Sequence, residues 1–220
     1  METTVKIHAT AIIESGAEIG AGTAVWDNVH IRRGAVVGSN CIIGEKTYIA
    51  GDAKVGDRCK LNACVYIPAF VTIEDGVMIA AHTVFTNDQF PRACTPDLSE
   101  LLNSAPDENT RRTLVKQGAT IGANCTIGND LTIGRFAMVG MGAVVTRSVA
   151  DFHMVIGVPA KPVACVCRCG HPLFRLADGP LPAGKPIECS LCGWRYRVTG
   201  DTVEDIGPGV LTAAQCDQAA

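Results

Sequence analysis

Four cysteines near the C-terminal end have the side-chain type and the spacing to bind a metal ion. They form two pairs, Cys167 with Cys169 and Cys189 with Cys192. A glycine follows each pair, and paired cysteines in two such turns are typical of tetrahedral four-cysteine zinc sites. The first pair has one intervening residue instead of two, so Cys165 is an alternative ligand. Because four thiolates leave no open coordination position, we expect a structural zinc ion, with a metal-free remnant of such a unit as the alternative.

Aromatic and polar side chains recur at a second spacing, which could build a substrate site. His30, Tyr48 and Tyr66 are eighteen residues apart, and so are Arg33, Gly51, Ala69 and Asn87. If each coil of the chain contains eighteen residues, the first set forms an aromatic ladder. The second set then forms a shallow groove between a guanidinium and a carboxamide. This arrangement favours a binding site, and packing between subunits is the alternative.

A period of six residues predicts the elements that would hold these side chains. Bulky apolar anchors occur at every sixth position: Ile7, Ile13, Ile19, Val25, Ile31, Val37, Ile43, Ile49, Val55, Leu61, Ile67, Ile73, Ile79, Phe85, and then Val115, Ile121, Ile127, Ile133, Val139 and Val145. This is the hexapeptide repeat of a parallel β-helix, whose coils bury their apolar faces against their neighbours. Small residues usually lie two positions before the anchors, and Cys41, Cys59 and Cys125 are expected to act there as small hydrophobes.

The pattern also predicts the division of the chain. We expect a β-helix over residues 1–164, interrupted by a long proline-containing loop over residues 87–113. Long loops inside compact domains are often functional. The cysteine pairs are expected to form a small zinc-ribbon-like unit over residues 165–200, followed by a flexible tail over residues 201–220.

Composition excludes several classes of protein. The formal charge of −3 argues against a general nucleic-acid or membrane-surface binder. No apolar run is long enough to cross a membrane, and the polar first residues do not read as a signal peptide. We therefore expect a cytoplasmic protein, in which disulfides are disfavoured.

Longer segments resemble a known family. HATAIIESGAEIGAGTAVW, VFTNDQFPRA, AMVGMGAVVT and VIGVPAK are similar to the left-handed β-helix nucleotide-sugar N-acetyltransferases, and the resemblance spans about residues 7–161. It implies an all-β, left-handed parallel β-helix that assembles as a homotrimer. It also implies acetyl-CoA as the co-substrate and a UDP-linked amino sugar bound in clefts between subunits. The most similar members acetylate the 3-amino group of UDP-2-acetamido-3-amino-2,3-dideoxyglucuronate for bacterial surface polysaccharide such as the lipopolysaccharide O-antigen.

The resemblance and the residue types together suggest roles for individual side chains. As catalytic residues we expect Asn87, which could orient the amine, and His82, which could act as a base although relatives commonly have asparagine there. The expected substrate-binding residues are His30, Arg33, Tyr48, Asn62, Asp88 and Arg92. The expected cofactor-binding residues are Gly140, Gly142, Arg147 and Lys161. The alternatives are backbone capping by Asn87, a loop ion pair between Asp88 and Arg92, and arginines that are simply solvated on the surface.

Three other functions are compatible with a hexapeptide β-helix. A close variant would acetylate a dTDP-3-amino-3,6-dideoxyhexose. A γ-type carbonic anhydrase would use three zinc-binding histidines, but the five histidines of this chain lack the expected pair spacing. A non-enzymatic solenoid, such as a scaffold, would not need the long loop or the polar groove.

Overall fold

A computed structural model describes residues 4–179, 184 and 186–209. The first repeat block forms short strands that each end on an anchor: β1 (Lys6–Ile7), β2 (Ile12–Ile13), β3 (Glu18–Ile19), β4 (Ala24–Val25), β5 (His30–Ile31), β6 (Val36–Val37), β7 (Ile42–Ile43), β8 (Tyr48–Ile49), β9 (Lys54–Val55), β10 (Lys60–Leu61), β11 (Tyr66–Ile67), β12 (Val71–Ile73), β13 (Met78–Ile79) and β14 (Val84–Phe85). The second block forms β15 (Thr113–Val115), β16 (Thr120–Ile121), β17 (Thr126–Ile127), β18 (Thr132–Ile133), β19 (Met138–Val139) and β20 (Val144–Val145).

These strands stack into three parallel sheets, as the repeat predicts. The first sheet contains β1, β4, β7, β10, β13, β16 and β19, the second contains β2, β5, β8, β11, β14, β17 and β20, and the third contains β3, β6, β9, β12, β15 and β18. Ile31 pairs with Ile49 and Ile49 with Ile67, which confirms the coil of eighteen residues. The predicted hexapeptide β-helix is therefore confirmed.

Side chains from all three sheets fill the centre of the β-helix. The anchors from Val25 to Val145 are buried, and so are small inward residues such as Ala35, Cys41 and Ala53. Ile7 is an exception, because 48% of it is exposed on the first coil, which has no coil before it. Burying each aliphatic anchor contributes roughly 1.5–3 kcal/mol. Layered aliphatic packing thus holds the coils in register.

Two rows of turns border the second sheet, and both matter for the site. The leading edge consists of the turns that enter this sheet, such as those at residues 62–65 and 80–83, and the trailing edge consists of the turns that leave it, such as those at residues 32–35 and 50–53. The long loop lies on the trailing edge. It ends at Arg112 and not at Thr113, because Thr113 is a buried residue of β15 that pairs with Val71.

The C-terminal part continues from the last coil. It contains β21 (His153–Ile156), β22 (Lys161–Val166), β23 (Pro172–Arg175), a 3-10 helix (Leu176–Asp178), β24 (Ile187–Glu188), β25 (Trp194–Thr199) and β26 (Thr202–Pro208). Strands β21, β22 and β23 extend the first sheet, whereas β24, β25 and β26 form a separate antiparallel sheet.

One predicted boundary in this part is wrong. The flexible tail was expected to begin at residue 201, but β26 pairs with β25 along its whole length. Alternating residues such as Val203 are buried against Val198 and Tyr196, and this apolar packing orders the strand. The tail beyond residue 209, including Cys216, lies outside the described residues.

Candidate functional site

The predicted groove is present as a cavity of about 470 Å³ on the trailing edge. Arg33, Gly51, Ala69 and Asn87 all border it, because the strands that precede them stack in register and bring their turns into one column. A Cβ atom on Gly51 would lie 2.6 Å from the Arg33 carbonyl oxygen, so glycine is required for the close approach of the two coils. Residues 104–106 of the long loop form the opposite wall.

The predicted aromatic ladder lies on the second sheet beside this cavity. The ring centroids of His30 and Tyr48 are 5.5 Å apart with the rings nearly perpendicular, and those of Tyr48 and Tyr66 are 5.2 Å apart with the rings stacked. Tyr48 and Tyr66 border the cavity. Stacked phenol rings offer an apolar surface with polar tips, which suits the ring of a sugar or a nucleotide base.

A charged network fixes the mouth of the cavity. Glu14 forms an ion pair with Arg32 and a hydrogen bond of 2.9 Å with the Nε2 atom of His30, and it accepts the backbone N–H of Arg33 at 2.9 Å. The Arg33 amide, followed by His30 and Arg32, lowers the pKa of Glu14 below its usual value. Arg32 also donates to the hydroxyl of Tyr48 at 2.9 Å, and this bond is the main cause that raises the pKa of Arg32. The network therefore holds the Arg32 guanidinium in place at the mouth of the cavity.

Arg32 and Glu14 are site residues that the sequence analysis missed. Arg32 shares an eighteen-residue column with Ala50 and Pro68, and both of these also border the cavity. The same spacing argument that identified Arg33 could have found Arg32. Glu14 lies eighteen residues before Arg32 on the same column, so this argument could have found it too.

Asn87 and Asp88 lie where the chain leaves the β-helix for the long loop. Arg111 donates its backbone N–H to the Asn87 carbonyl at 2.6 Å, so the loop departs and returns at the same point. The Asn87 Nδ2 atom donates a long bond of 3.4 Å to the Ala69 carbonyl. Within the part of the chain that the structure describes, the Asn87 Oδ1 atom accepts no hydrogen bond. Asn129 donates to the Asp88 carbonyl at 2.6 Å and fixes the backbone beside the cavity.

Several residues predicted for the same site lie elsewhere on the chain. His82 and Asn62 are in turns of the leading edge, where His82 has a positive φ of 60° at a corner of the coil. Neither borders the cavity that contains Asn87. Arg92 projects from the long loop and donates to the Pro91 carbonyl, so the ion pair considered between Arg92 and Asp88 is not formed. Sequence proximity to Asn87 was misleading here, because the loop carries Arg92 away from the groove.

The predicted cofactor-binding residues also divide between two places. Arg147 and Lys161 line a second cavity of about 730 Å³, whose walls include Val145, Val149 and His153. Arg147 occupies the same column of the trailing edge as Asn87, because Phe85 pairs with Ile127 and Thr126 pairs with Val144 in successive coils. Two steps of about 4.8 Å separate the two coils.

Gly140 and Gly142 lie in a turn of the leading edge, next to the exposed Met141. A Cβ atom on Gly140 would lie 2.6 Å from the Ile156 side chain, which explains glycine at that position. Gly142 has a positive φ of 70° with open space around it. The leading edge thus carries Asn62, His82, Gly140 and Gly142, and the trailing edge carries Arg33, Asn87, Asp88 and Arg147.

The four predicted zinc ligands come together in the C-terminal unit. The sulfur atoms of Cys167, Cys169, Cys189 and Cys192 all lie within 4.8 Å of one another. Zinc–sulfur bonds of about 2.3 Å in a tetrahedron place the sulfurs roughly 3.8 Å apart, so the donor set fits Zn²⁺. Cys165 lies outside this group of sulfurs, and its thiol instead approaches the His153 ring at 4.0 Å.

Comparison with known proteins agrees with the fold. The family described as bacterial transferase hexapeptide (six repeats) matches residues 16–51 and 34–69. The chain is 39% identical over 99 residues to dTDP-3-amino-3,6-dideoxy-alpha-D-galactopyranose 3-N-acetyltransferase of Aneurinibacillus thermoaerophilus. The match covers 45% of this chain and 47% of that relative, so the chain spans about half the length of the curated relative that it matches.

Solved structures of low sequence identity are also similar. GDP-perosamine N-acetyl transferase from Caulobacter crescentus, solved as a histidine-to-alanine mutant with CoA and GDP-perosamine, is 20% identical with a TM-score of 0.46, over 74% of this chain and 57% of that one. WeeI from Acinetobacter baumannii AYE is 23% identical with a TM-score of 0.46, over 71% of this chain and 57% of that one.

Among the described residues, no helix is long and apolar enough to span a membrane.

Proposed function

We propose that this hexapeptide β-helix protein is an acetyl-CoA-dependent N-acetyltransferase acting on the 3-amino group of a nucleotide-linked sugar. The observation that carries the proposal is the cavity in which Arg33 and Asn87 lie on one column beside stacked tyrosines. The named activity of the Aneurinibacillus relative is 3-N-acetylation of an amino sugar nucleotide, and this supports the same reaction class here.

The reaction needs little machinery beyond positioning. A sugar amine has a pKa near ~8, like an α-amino group, so an appreciable fraction is neutral and nucleophilic at cellular pH. The amine nitrogen attacks the thioester carbonyl, a C–N bond forms, and the C–S bond breaks. The proton lost by the nitrogen passes to the leaving CoA sulfur. Aligning the two reactants supplies much of the acceleration in such a reaction.

Asn87 is the residue proposed to orient the acceptor. Its side-chain oxygen points to no protein donor in the described structure, so it can accept a hydrogen bond from the sugar amine. The Asp88 side chain, which also borders the cavity, is placed to bind sugar hydroxyls. Arg32 and Arg33 provide the positive charge that a diphosphate or a uronate carboxylate requires, since arginine meets such groups with two parallel hydrogen bonds.

Acetyl-CoA is proposed to extend along the trailing edge towards the second cavity. Arg147 and Lys161 supply two cations there, and the remaining walls are largely apolar. CoA combines anionic phosphates with a long pantetheine arm, so cations placed two coils from Asn87 suit it.

A homotrimer is proposed because the leading edge exposes large apolar side chains and carries half of the expected site. Trp26 is 52% exposed and Met141 is 82% exposed along this edge, and Met78 is exposed on the adjoining first sheet. Exposed apolar surface of this kind marks an interaction site. If the leading edge of one protomer faces the trailing edge of the next, Asn62, His82 and the glycines at 140 and 142 complete the site of the partner.

Two acceptors are considered. The first is UDP-2-acetamido-3-amino-2,3-dideoxyglucuronate, a precursor of lipopolysaccharide, and the pair Arg32 and Arg33 favours it because a uronate adds a carboxylate to the diphosphate. The second is a dTDP-3-amino-3,6-dideoxyhexose, which the name of the Aneurinibacillus relative favours.

The cysteines of the described residues are all free, in keeping with a cytoplasmic enzyme.

A thiol-release assay tests the proposal. Purified protein is incubated with acetyl-CoA and, separately, with each of the two 3-amino sugar nucleotides, and the acetylated sugar is identified by mass spectrometry. A sugar nucleotide with a hydroxyl in place of the 3-amino group is the control. We expect CoA release only with an amino sugar, and release with neither would contradict the enzyme assignment and favour a non-enzymatic solenoid.

A further inference from the structure

The C-terminal cysteine cluster lies apart from both cavities described above, and its geometry is that of a metal site. The Cys167 and Cys192 sulfurs are 3.4 Å apart, and the Cys169 and Cys189 sulfurs are 3.7 Å apart. Both distances are far longer than the roughly 2.05 Å of a disulfide bond. Both are close to the separation of two thiolates on one tetrahedral zinc ion.

Backbone N–H groups around the cluster point toward its sulfur atoms. The backbone N–H of His171 approaches the Cys169 sulfur, and those of Leu191 and Cys192 approach the Cys189 sulfur. Gly170 and Gly193 have positive φ angles of 86° and 69°, which lets each turn fold back over its sulfur atoms. Two turns of this kind facing each other form a preorganised tetrathiolate site.

We propose that Cys167, Cys169, Cys189 and Cys192 bind one Zn²⁺, and that this ion fastens the C-terminal unit to the end of the β-helix as a cap. A unit this small cannot bury enough apolar surface to be stable by itself, and a structural metal is the usual solution. Four thiolates fill the coordination shell, so the ion has a structural role and leaves no position for a substrate.

A chain of contacts links the metal site to the last coils. The Tyr196 hydroxyl accepts the backbone N–H of Arg168 at 2.9 Å, so its own hydrogen is directed to the Cys167 sulfur at 3.0 Å. The Tyr196 ring packs edge-on against Phe152 at 5.3 Å, and Phe152 stacks on Phe136 at 5.6 Å. Phe136 and Phe152 are corner residues of the last coils, so Tyr196 connects the cysteine cluster to the end of the β-helix.

Arg168, between two of the ligands, reinforces this contact. Its guanidinium lies 4.7 Å from the Phe136 ring and 4.2 Å from the Trp194 ring, and it pairs with Asp205 at 3.5 Å. Trp194 lies two residues after Cys192 in the chain. An intact metal site therefore holds one tryptophan in a fixed environment, which gives a spectroscopic signal for the cap.

The capping unit also forms part of the cavity that contains Arg147 and Lys161. Leu176, Gly179 and residues 200–201 supply the wall opposite these two cations. Loss of the metal should release this wall and loosen the last coil. A role of this cavity in binding the phosphates of CoA rests on the proposed function. The metal site and the cap are independent of that function.

The experiment measures metal content and local order in the full-length chain. The zinc content of wild-type protein purified without chelator is measured by elemental analysis and compared with that of a Cys192→Ser variant. A Cys94→Ser variant is the matched control, since Cys94 lies in the long loop outside the cluster. We expect about one zinc per chain in the wild type and in Cys94→Ser, and less than about 0.2 in Cys192→Ser. Absence of zinc, iron in its place, or full zinc in Cys192→Ser would overturn the metal assignment.

Two further readouts test the cap and need no substrate. In a Trp26→Phe background, chelation of the zinc should shift the Trp194 fluorescence to longer wavelength. Hydrogen exchange of residues 153–166 should accelerate at least about ten-fold after chelation, while residues 42–67 should stay protected. Because chelation starts from folded protein, these measurements remain informative if Cys192→Ser does not fold. Unchanged exchange in residues 153–166 after zinc removal would overturn the cap, whatever the outcome of the acetylation assay.

Discussion

Arg33 and Asn87 lie three coils apart on the trailing edge and border the same cavity. At about 4.8 Å per coil, their backbones are separated by roughly 14 Å, which is too far for one small functional group to contact both. An elongated ligand with an amine at one end and an acidic group further along, such as an amino sugar nucleotide, spans this distance. The two residues therefore define both the position and the direction of the proposed acceptor.

Replacing Asn87 with alanine should slow turnover without unfolding the protein. The variant loses the carboxamide that is proposed to align the amine, and misalignment of reactants lowers kcat by about ten-fold or more. Lys54→Ala, on the exposed outer face of the third sheet, is the control. Steady-state kinetics with both substrates measure the effect, and wild-type kcat and KM for a folded Asn87→Ala variant would remove Asn87 from the site.

The two edges can be tested by mixing variants. Asn87→Ala damages the trailing edge, and the double variant Asn62→Ala with His82→Ala damages the leading edge. If each site combines edges from two protomers, trimers that contain both variants should recover about a third of the wild-type rate, because in each of them one site of the three has two intact edges. Co-expression with two affinity tags isolates the mixed trimers. Activity no higher than the mean of the two parent variants would show that one chain forms the whole site.

Much of this arrangement was accessible from the sequence because the fold is periodic. Once a coil of eighteen residues is accepted, the column of Arg33, Gly51, Ala69 and Asn87 follows by counting, and the cavity confirms the column. The meeting of four cysteine sulfurs was likewise predicted from spacing and is seen in the structure.

The features that could not be predicted from the sequence are those in which the chain departs from the six-residue period. The long loop has no repeat. Counting residues therefore could not predict that residues 104–106 fold over the cavity, or that Arg92 lies away from it. The strand β26 also escaped prediction, because it is ordered by pairing with β25 and not by a repeat. Residues as near in sequence as His82 and Asn87 were assigned to one site, although β14 lies between them and carries them to different edges.

Stability should depend on the coil in which an anchor lies. Ile79 is fully buried, and its replacement by alanine should cost about 2–5 kcal/mol through lost burial and a cavity. Ile7 occupies the same position of the repeat but is 48% exposed, so Ile7→Ala should cost less than about 1 kcal/mol. Thermal unfolding of the two variants compares them directly, and equal losses would contradict the packing described for the coils.

Glu14 should make the cavity mouth sensitive to acid. Its pKa is lowered from the ordinary value of 4.5, first by the Arg33 amide and further by His30 and Arg32. A depressed folded-state pKa contributes stability above the unfolded pKa and loses it as the pH falls through the folded pKa, so the loss should develop below about pH 4.5. Glu14→Gln should therefore flatten the decline of Tm between about pH 4.5 and about pH 3. Glu18→Gln, on the third sheet, is the control, and identical pH profiles for Glu14→Gln and the wild type would contradict this role.

A crystal structure with CoA and a 3-amino sugar nucleotide tests the central claim most directly. We predict that the amine nitrogen lies about 2.7–3.2 Å from the Asn87 carboxamide, with Arg32 or Arg33 bound to an acidic group of the same ligand and the CoA sulfur beside the amine. A sugar nucleotide bound away from the trailing edge, or an Asn87 side chain without contact to it, would contradict the account.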